Sequence, residues 1–542
     1  MFKVLLGEVL RSRRRRNAEA DAQLLMERAL SLRDSDIDGA IGCLERAVDM
    51  KPGNAEMHNE LGVLLLAKGR LAKAEAQFLQ AVNVDPGMPQ PQANLGVVYS
   101  RQNLPGKAVP YLEQAMRTAP GDVTHWLNLA AALRDLSRQD AAEELLRSAL
   151  ERFPGHPKLE FRSAMLEREL GRTDVAAARL EQLLARDPDD FAARQLLGMV
   201  CQDRGQYETA RACYEAILAR VPQHPHARFT RGLLALLQGD FARGWDGYEV
   251  RFLTDESPRR GFLLPDWDGS PIAGGLLMYA EQGVGDELMF ASCVPDAAAF
   301  CGSGVLECDL RLAPLFTRSF PRVKVIGADR SAPPGWMTSV NDLTAQIAIG
   351  SLPRYFRRGR DAFPTRPAYL RADPDRVEYW RSRLRTIGPG PYLGISWRGG
   401  IGKTKQSVRS IPLEAWQPVL RALKGTWVCL QYDVRDGEGA TGAALAGGVF
   451  ATWPQTLFDL DDTAALVCAL DGVVSVCTAL VHLAGALGQR AWVLVPSAPE
   501  WRYGAAGDKM PWYANVRLIR QQAGDGWGPV LAAAAAQVRA LQ

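Results

Sequence analysis

Asp286 is the first residue in the second half of the chain whose type and setting suit catalysis. It follows Gly283 and Gly285 at a predicted strand-to-helix turn. Glycines let a backbone approach a ligand closely. A carboxylate placed there can act as the general base that takes a proton from a hydroxyl group. The alternative is a structural one, because Asp is also a favoured helix N-cap. We expect Asp286 to be a catalytic residue, and Gly283 and Gly285 to lie against a bound substrate.

His482 is the only histidine after His226. It lies four residues after Thr478, so both side chains fall on one face of a predicted helix. The N-terminus of that helix offers free N–H groups and a partial positive charge, which suit a diphosphate. We expect Thr478 to bind that anion and His482 to act beside it as a catalytic residue. The alternative for His482 is a place in the apolar core.

A glycine-rich, basic segment lies between two arginines, Arg398 and Arg409, and contains Lys403 and Lys405. Cationic side chains in this pattern can stabilise the negative charge of a leaving diphosphate. The alternative is a flexible surface loop. The segment ends like a Walker phosphate loop, but Trp397 stands where that motif requires its first glycine, so the motif is absent.

Asp462, next to Asp461 and Thr463 at a predicted helix start, is a further candidate for binding the hydroxyl groups of a ligand such as a sugar or ribose. Paired carboxylates can also hold a divalent metal. Since no D-x-D motif is present in a suitable setting, we expect neither a metal nor another cofactor.

These residues require parallel sheets to position them. After residue 271, short apolar runs alternate with amphipathic helices, a pattern typical of βαβ units. Strands are predicted at Gly275–Ala280, Val305–Leu310, Lys324–Ile326, Tyr392–Trp397, Thr426–Gln431, Gly472–Val476 and Ala491–Pro496. Helices are predicted after Asp286 and at Asp373–Arg385, Leu413–Leu423, Thr463–Leu470 and Ala479–Leu487. They form two Rossmann-like halves facing a cleft, the GT-B architecture, with ligands at the carboxyl ends of the strands.

The first half of the chain is built from a repeat of 34 residues. Prolines recur at this spacing, and so do alanines. The positions are Pro52, Pro86, Pro120, Pro154, Pro188 and Pro222, with Ala40, Ala74, Ala108, Ala142, Ala176 and Ala210. This period is the tetratricopeptide signature: each unit is a helix pair, and stacked units form an all-α solenoid. Because the contacts are local, we expect residues 17–252 to fold on their own.

The second half also carries motifs of known enzymes. The run from Tyr279 to Asp286 resembles the opening motif of bacterial transferases that follow tetratricopeptide arrays, and that of the ADP-heptose heptosyltransferases. The run from Ser475 to Gly485 resembles their donor-phosphate motif, and Pro499–Arg502 resembles the ending of the repeat-fused group. The resemblance implies a general base at Asp286 and a phosphate-contacting residue near Arg409. The family usually has Asp where this chain has Cys477, so the donor differs, the site has drifted, or Cys477 simply packs.

The arrangement is similar to protein O-GlcNAc transferases and to bacterial flagellin glycosyltransferases, in which the solenoid holds the protein acceptor. In the former, asparagines on the first helix of each repeat bind an extended peptide. Here Asn94 and Asn128 occupy that repeat position, while Glu60 and Arg162 occupy it in neighbouring units. The resemblance implies that Asn94 and Asn128 bind the acceptor. The alternative is that Asn is merely common at this position.

Composition sets the remaining limits. The 542 residues carry a formal charge of only +3, which argues against capture of nucleic acid. Nine cysteines without a C-x-x-C pair indicate reduced thiols, and no apolar run could span a bilayer. We therefore expect a cytoplasmic protein, with at most peripheral membrane contact through its basic N-terminus. The predicted divisions are a lead-in at 1–20, a solenoid of six repeats and a truncated seventh at 21–252, a connector at 253–271, and halves at 272–388 and 389–542.

Together these patterns predict a glycosyltransferase. It would move a sugar from a nucleotide-sugar donor to Ser or Thr of a protein, flagellin being a candidate, that the solenoid recruits. Two alternatives stay open: a binding scaffold with weak or lost activity, and a transferase for a lipopolysaccharide or polysaccharide acceptor.

Overall fold

The computed structural model describes residues 19–254, 259–330, 334–400 and 405–541. The contacts divide the chain into two compact units, residues 1–166 and 167–542. The basic N-terminal segment and Lys403 lie outside the described residues. In the described part of the chain, no helix has the length and apolar character needed to cross a membrane.

The first unit consists of antiparallel helix pairs. Its helices are α1 (19–32), α2 (Ile37–Met50), α3 (Ala55–Ala67), α4 (Leu71–Val84), α5 (Pro89–Arg101), α6 (Pro105–Thr118), α7 (Val123–Asp135), α8 (Gln139–Arg152) and α9 (Pro157–Glu169), which runs past its end.

Small residues let the helices of each pair approach closely. A Cβ on Gly62 would lie 2.5 Å from Phe78 Cε1, and one on Gly96 would lie 2.3 Å from Leu112 Cδ2. Both pairs repeat with the period of 34, as does the fully buried alanine in each second helix, such as Ala74. The predicted tetratricopeptide architecture is confirmed.

The second unit begins with further helix pairs. They are α10 (Thr173–Arg186), α11 (Phe191–Asp203), α12 (Tyr207–Arg220), α13 (Pro225–Gln238) and α14 (Phe241–Tyr248), and a 3-10 turn follows at Glu249–Leu253. Trp245 at the end of the series is 1% exposed. Its ring packs against Phe290 in the first α/β half and against Trp501 and Trp512 in the second. A fragment ending at residue 252 would uncover this contact, so the structure does not support independent folding of residues 17–252.

The first α/β half has four parallel strands in the order β3-β2-β1-β4. The strands are β1 (Ile272–Tyr279), β2 (Cys301–Asp309), β3 (Val323–Ala328) and β4 (Leu343–Ala348). The helices are α15 (Val284–Phe290), α16 (Val294–Ala298), α17 (Ala313–Ser319) and α18 (Pro353–Phe356). The strand order reverses between β1 and β4, which places the ligand edge of this sheet at the loops that follow them.

The second α/β half has seven strands in the order β10-β11-β9-β8-β5-β6-β7, with β10 alone antiparallel. The strands are β5 (Tyr392–Ser396), β6 (Thr426–Cys429), β7 (Val449–Thr452), β8 (Gly472–Val476), β9 (Ala491–Val495), β10 (Lys509–Met510) and β11 (Tyr513–Arg520). The helices are α19 (Pro374–Ile387), α20 (Gln406–Arg409), α21 (Gln417–Leu420), α22 (Glu438–Ala446), α23 (Leu460–Ala469), α24 (Ala479–Ala486) and α25 (Gly528–Arg539). Its order reverses between β5 and β8.

The predictions of individual helices and strands need correction at several places. The helix predicted at Leu413–Leu423 is a 3-10 turn at Leu413–Trp416 followed by α21, because Pro418 interrupts the hydrogen bonding. Strands β4, β7, β10 and β11 were not predicted, and neither were helices α17, α18, α20, α22 and α25. The two-half α/β architecture itself is confirmed, and α19, predicted as a helix at Asp373–Arg385, buries Val377, Trp380 and Leu384.

Candidate functional site

In each sheet, the loops where the strand order reverses form one edge, which we call the reversal edge. The reversal edges of the two sheets meet where α15 faces α24. A Cβ on Gly285 would lie 3.4 Å from Ala479 Cα and 3.5 Å from His482 Cδ2, so the first turns of both helices are close. Gly283 is the N-cap residue of α15, and no atom of another residue lies within 4 Å of where its Cβ would stand. The structure therefore brings together the two loops that the sequence singled out.

Asp286 lies in the first turn of α15 and forms an ion pair with Arg502 of the second half. Its Oδ1 accepts hydrogen bonds from Nε of Arg502, at 2.8 Å, and from Nη2. Both side chains are 18% exposed. The N-cap alternative does not hold, because Gly283 occupies that position without a side-chain cap. Asp286 is thus an oriented carboxylate at the junction of the halves.

Glu500 connects the same arginine to a second one. Its Oε2 accepts a hydrogen bond from Nη1 of Arg502 at 3.1 Å, and its Oε1 accepts one from Nη1 of Arg409. Burial alone would raise the pKa of Glu500, but the charges of Arg502, Arg409 and Lys405 lower it below its usual value. The result is a row of alternating charges running from Asp286 to Arg409.

His482 lies inside this junction and is 4% exposed. Its Nδ1 shares a hydrogen bond of 3.1 Å with the hydroxyl of Tyr513. Burial, followed by the charge of Arg502, lowers the pKa of His482 to about 3, so the imidazole is neutral near pH 7. A cationic contact with phosphate is therefore not available to it, although its ring edge faces Gly285.

The loops after β5 and β8 touch at the N-terminus of α24. A Cβ on Gly399 would lie 2.6 Å from the carbonyl oxygen of Cys477 and 2.9 Å from Cγ2 of Thr478, so only glycine fits there. Thr478 is the N-cap residue of α24, and its hydroxyl lies 3.3 Å from that of Ser475. Its side chain makes no capping bond to the helix.

Cys477 packs inside the sheet. Its side chain is 3% exposed, and its Sγ lies 3.8 Å from the carbonyl oxygen of Leu494. Burial raises the pKa of this thiol to about 12. Among the alternatives for this position, these contacts favour simple packing of Cys477. The cysteine offers no carboxylate where the resembling family usually has Asp.

Three predicted donor-binding residues have other partners in the structure. Arg398 is bonded to Asp433 at 3.1 Å and to Glu438 at 2.7 Å, which fixes the start of α22. Lys405 is paired with Asp203 of α11 at 2.5 Å. Both cations are held by carboxylates that the sequence pattern did not associate with them.

Asp462 is the third of these residues. Its Oδ1 accepts hydrogen bonds of 2.9 Å from Nε1 of Trp380 and from Nε of Arg376, both on α19. The residue that caps α23 is Asp459, not the predicted Asp461–Thr463 group. Asp461 instead pairs with Arg318, both bonds being 2.8 Å, and so joins the two halves.

The candidate acceptor residues lie in the first unit. Nδ2 of Asn94 donates a hydrogen bond of 2.9 Å to Oδ1 of Asn59, which is buried. Asn128 is half-buried at the matching position of α7.

The sequence interpretation assigned no chemistry to Arg502, and it gave Glu281 and Glu500 only as the next candidates for the base should Asp286 not serve. Glu281 is 1% exposed and pairs with Arg251 at 3.0 Å, so it stabilises the loop after β1. Glu287, next to Asp286, was also missed. It is fully buried, which raises its pKa to about 7, and it accepts a hydrogen bond from the backbone N–H of Asp309. Among the described residues, no group of three or more metal-binding side chains is assembled.

The chain matches the family models for the tetratricopeptide repeat at residues 25–89, 94–157 and 167–237. It therefore contains tetratricopeptide repeats, and a two-half α/β region follows them. It is 33% identical over 324 residues to Protein FlbA of Caulobacter vibrioides, and the match covers 56% of this chain and 54% of that protein. The chain thus spans about half the length of this curated relative.

Similar solved structures include two repeat proteins. A tetratricopeptide repeat protein from Parabacteroides merdae is 18% identical with a TM-score of 0.40, covering 42% of this chain and 91% of its own. YrrB, described as a tetratricopeptide protein with an unusual peptide-binding site, is 20% identical with a TM-score of 0.29. The match covers 35% of this chain and 98% of YrrB.

Proposed function

We propose that this protein is a glycosyltransferase that transfers a sugar from a nucleotide-sugar donor to a hydroxyl group of a protein acceptor. The observation that carries the proposal is the meeting of two parallel sheets at their reversal edges, with Asp286 from one half beside α24 of the other. Such edges are where α/β sheets bind ligands. The oriented carboxylate lies in the first turn of α15, next to Gly285, whose Cβ would approach Ala479 at the N-terminus of α24.

In this mechanism the acceptor hydroxyl oxygen attacks the anomeric carbon of the donor sugar. Asp286 takes the hydroxyl proton as the new C–O bond forms. The bond between the anomeric carbon and the diphosphate breaks, and the diphosphate leaves with both electrons. The N–H groups of α24, Thr478 and the Arg409 guanidinium stabilise the charge that develops on it.

We propose that the tetratricopeptide repeats supply the acceptor. Stacked repeats present an extended surface suited to a peptide. Asn94 and Asn128 are the candidate contacts, and flagellin is the candidate acceptor. The expected location is the cytoplasm, because the donor substrates would be nucleotide sugars. Replacing both asparagines with alanine should raise KM for the acceptor and leave donor affinity unchanged.

The experiment that tests the activity combines a panel of nucleotide sugars with one pair of variants. Donor binding is detected as thermal stabilisation of the full chain, because a ligand that binds only the folded state raises its stability. Asp286→Asn should then keep donor affinity and lower single-turnover transfer by about 10²–10⁴-fold.

Asp461→Asn is the matched control. Its pair with Arg318 also joins the halves, and its side chain is 19% exposed against 18% for Asp286. We expect this control to transfer sugar near the parental rate. Equal losses in both variants would make Asp286 structural. A panel in which no donor binds or reacts would refute the enzyme and favour the binding scaffold.

A further inference from the structure

We propose that Arg409 and Arg502 form the diphosphate subsite of the donor and that Glu500 competes with the diphosphate for both guanidinium groups. This inference rests on the proposed function and deepens it. Neither Arg502 nor Glu500 was assigned to donor binding by the sequence. The geometry that points to it is a single carboxylate shared by two arginines beside the N-terminus of α24.

The bridge has the form of an anion site. Each oxygen of Glu500 accepts a hydrogen bond from a different arginine, Oε1 from Arg409 and Oε2 from Arg502. Guanidinium groups bind carboxylates and phosphates through the same arrangement of donors. Two arginines whose Nη1 atoms converge on one anion are therefore equally suited to adjacent phosphoryl groups.

The surroundings add positive charge to this position. The charge of Lys405 also acts on Glu500, while Asp203 is the partner that holds Lys405 in place. The side chains of Arg409 and Arg502 are only 12% and 18% exposed. Partly desolvated cations bind anions more strongly than cations in water do. Removing the charge of Glu500 would leave an excess of positive charge that an incoming diphosphate can neutralise.

Arg502 couples this subsite to the candidate base. Its Nε and Nη2 atoms bind Asp286, and its Nη1 atom binds Glu500. A diphosphate that takes over Nη1 brings a larger negative charge close to Asp286, and nearby negative charge favours transfer of a proton to a carboxylate. Donor binding would in this way prepare Asp286 to accept the hydroxyl proton.

The test measures binding of inorganic pyrophosphate to the full chain by calorimetry. Glu500→Gln should bind pyrophosphate about tenfold more tightly than the parent, or better, because one charge-assisted contact is no longer contested. Arg409→Gln should bind it about tenfold more weakly. Glu438→Gln is the matched control, since it removes a carboxylate from a different arginine, Arg398, and should leave the affinity unchanged.

Glu500→Asp is a second variant that keeps the charge and shortens its reach, and it should also bind pyrophosphate more tightly than the parent. Melting of each variant confirms that it folds. If Glu500→Gln and Glu500→Asp bind no better than the parent, or worse, the competition is refuted, and so it is if no variant binds pyrophosphate.

Donor turnover separates this proposal from the function itself. If the parent turns over a nucleotide sugar but Glu500→Gln does not bind pyrophosphate more tightly, the proposed transferase activity stands and the competition by Glu500 is refuted. If Glu500→Gln binds pyrophosphate more tightly but the parent turns over no donor, the anion subsite stands and the proposed transferase activity is refuted.

Discussion

Lys405 allows a direct test between its predicted role as a donor ligand and its observed place in the structure. Its ammonium pairs with Asp203 of α11, and the second oxygen of Asp203 accepts a hydrogen bond of 2.6 Å from Nε of Arg168. The side chains of Lys405, Asp203 and Arg168 are 19%, 7% and 16% exposed, so this three-residue cluster is nearly buried. The cluster ties the segment after β5 to the last helix pairs.

The expected losses of stability differ between the two ends of the pair. Asp203→Asn leaves two nearly buried cations without a charged partner, which costs about 3–5 kcal/mol in buried pairs, and we expect the lower limit here because some solvent remains. Lys405→Met leaves Asp203 bound to Arg168 and removes one charge-assisted bond, about 2 kcal/mol. Asp203→Asn should therefore be the more destabilising change.

The assay is thermal unfolding followed by tryptophan fluorescence. Every tryptophan except Trp126 lies in the second unit, so the signal reports on the unit that holds the cluster. We expect the midpoint to fall by roughly 5 °C for Asp203→Asn and roughly 3 °C for Lys405→Met. The control Asp174→Asn breaks a solvent-exposed pair with Arg204 and should change the unfolding midpoint little.

The affinity for inorganic pyrophosphate completes this test. Lys405→Met should bind it about as well as the parent, because the ammonium is occupied by Asp203. A tenfold or greater loss of affinity with an unchanged melting midpoint would refute this reasoning and return Lys405 to the donor site.

Two further predictions follow from buried side chains. Trp245→Ala should lower the unfolding free energy by about 3–5 kcal/mol, because it opens a cavity between Phe290 and Trp501. The measurement is calorimetric unfolding, with Trp126→Ala in the first unit as the comparison. Equal losses in the two variants would contradict the prediction. His482 has a lowered pKa, so its contribution to stability is present above pH 6.5 and is lost as the pH falls toward 3. Relative to His482→Gln, the parent should lose about 2 kcal/mol between pH 6.5 and 5, measured by denaturant unfolding, and parallel pH profiles would show that His482 is not buried as a neutral group.

The parts of the fold that depend on local patterns could be predicted from the sequence. The period of 34 and the small residues at Gly62 and Gly96 reflect contacts within one helix pair, so they are visible in a short window. The alternation of apolar runs and helices likewise predicted most strands of both sheets. Strand β4 was missed because only its last four residues, Ala345–Ala348, are buried, which leaves a weak apolar signal.

The partners of charged residues could not be predicted in this way. Arg398 and Lys405 looked alike as candidate phosphate ligands, since both are cations near glycines. Their carboxylate partners, Asp433 and Asp203, come from another strand end and from a helix about 200 residues earlier, and only the fold brings them together. Arg502 was overlooked for the same reason, although Glu500 and Arg502 after a strand end formed a usable signal.

The contact of Trp245 with both α/β halves has a consequence for how such chains diversify. Repeats before residue 167 can be gained, lost or exchanged by recombination in steps of 34 residues without touching the packing around this indole. Helices α13 and α14 lack that freedom, because each of their replacements must still fit two separate sheets. Lineages of this architecture should therefore vary in the number of repeats before residue 167 and keep a constant length between α13 and β1, which aligned sequences of such chains would show.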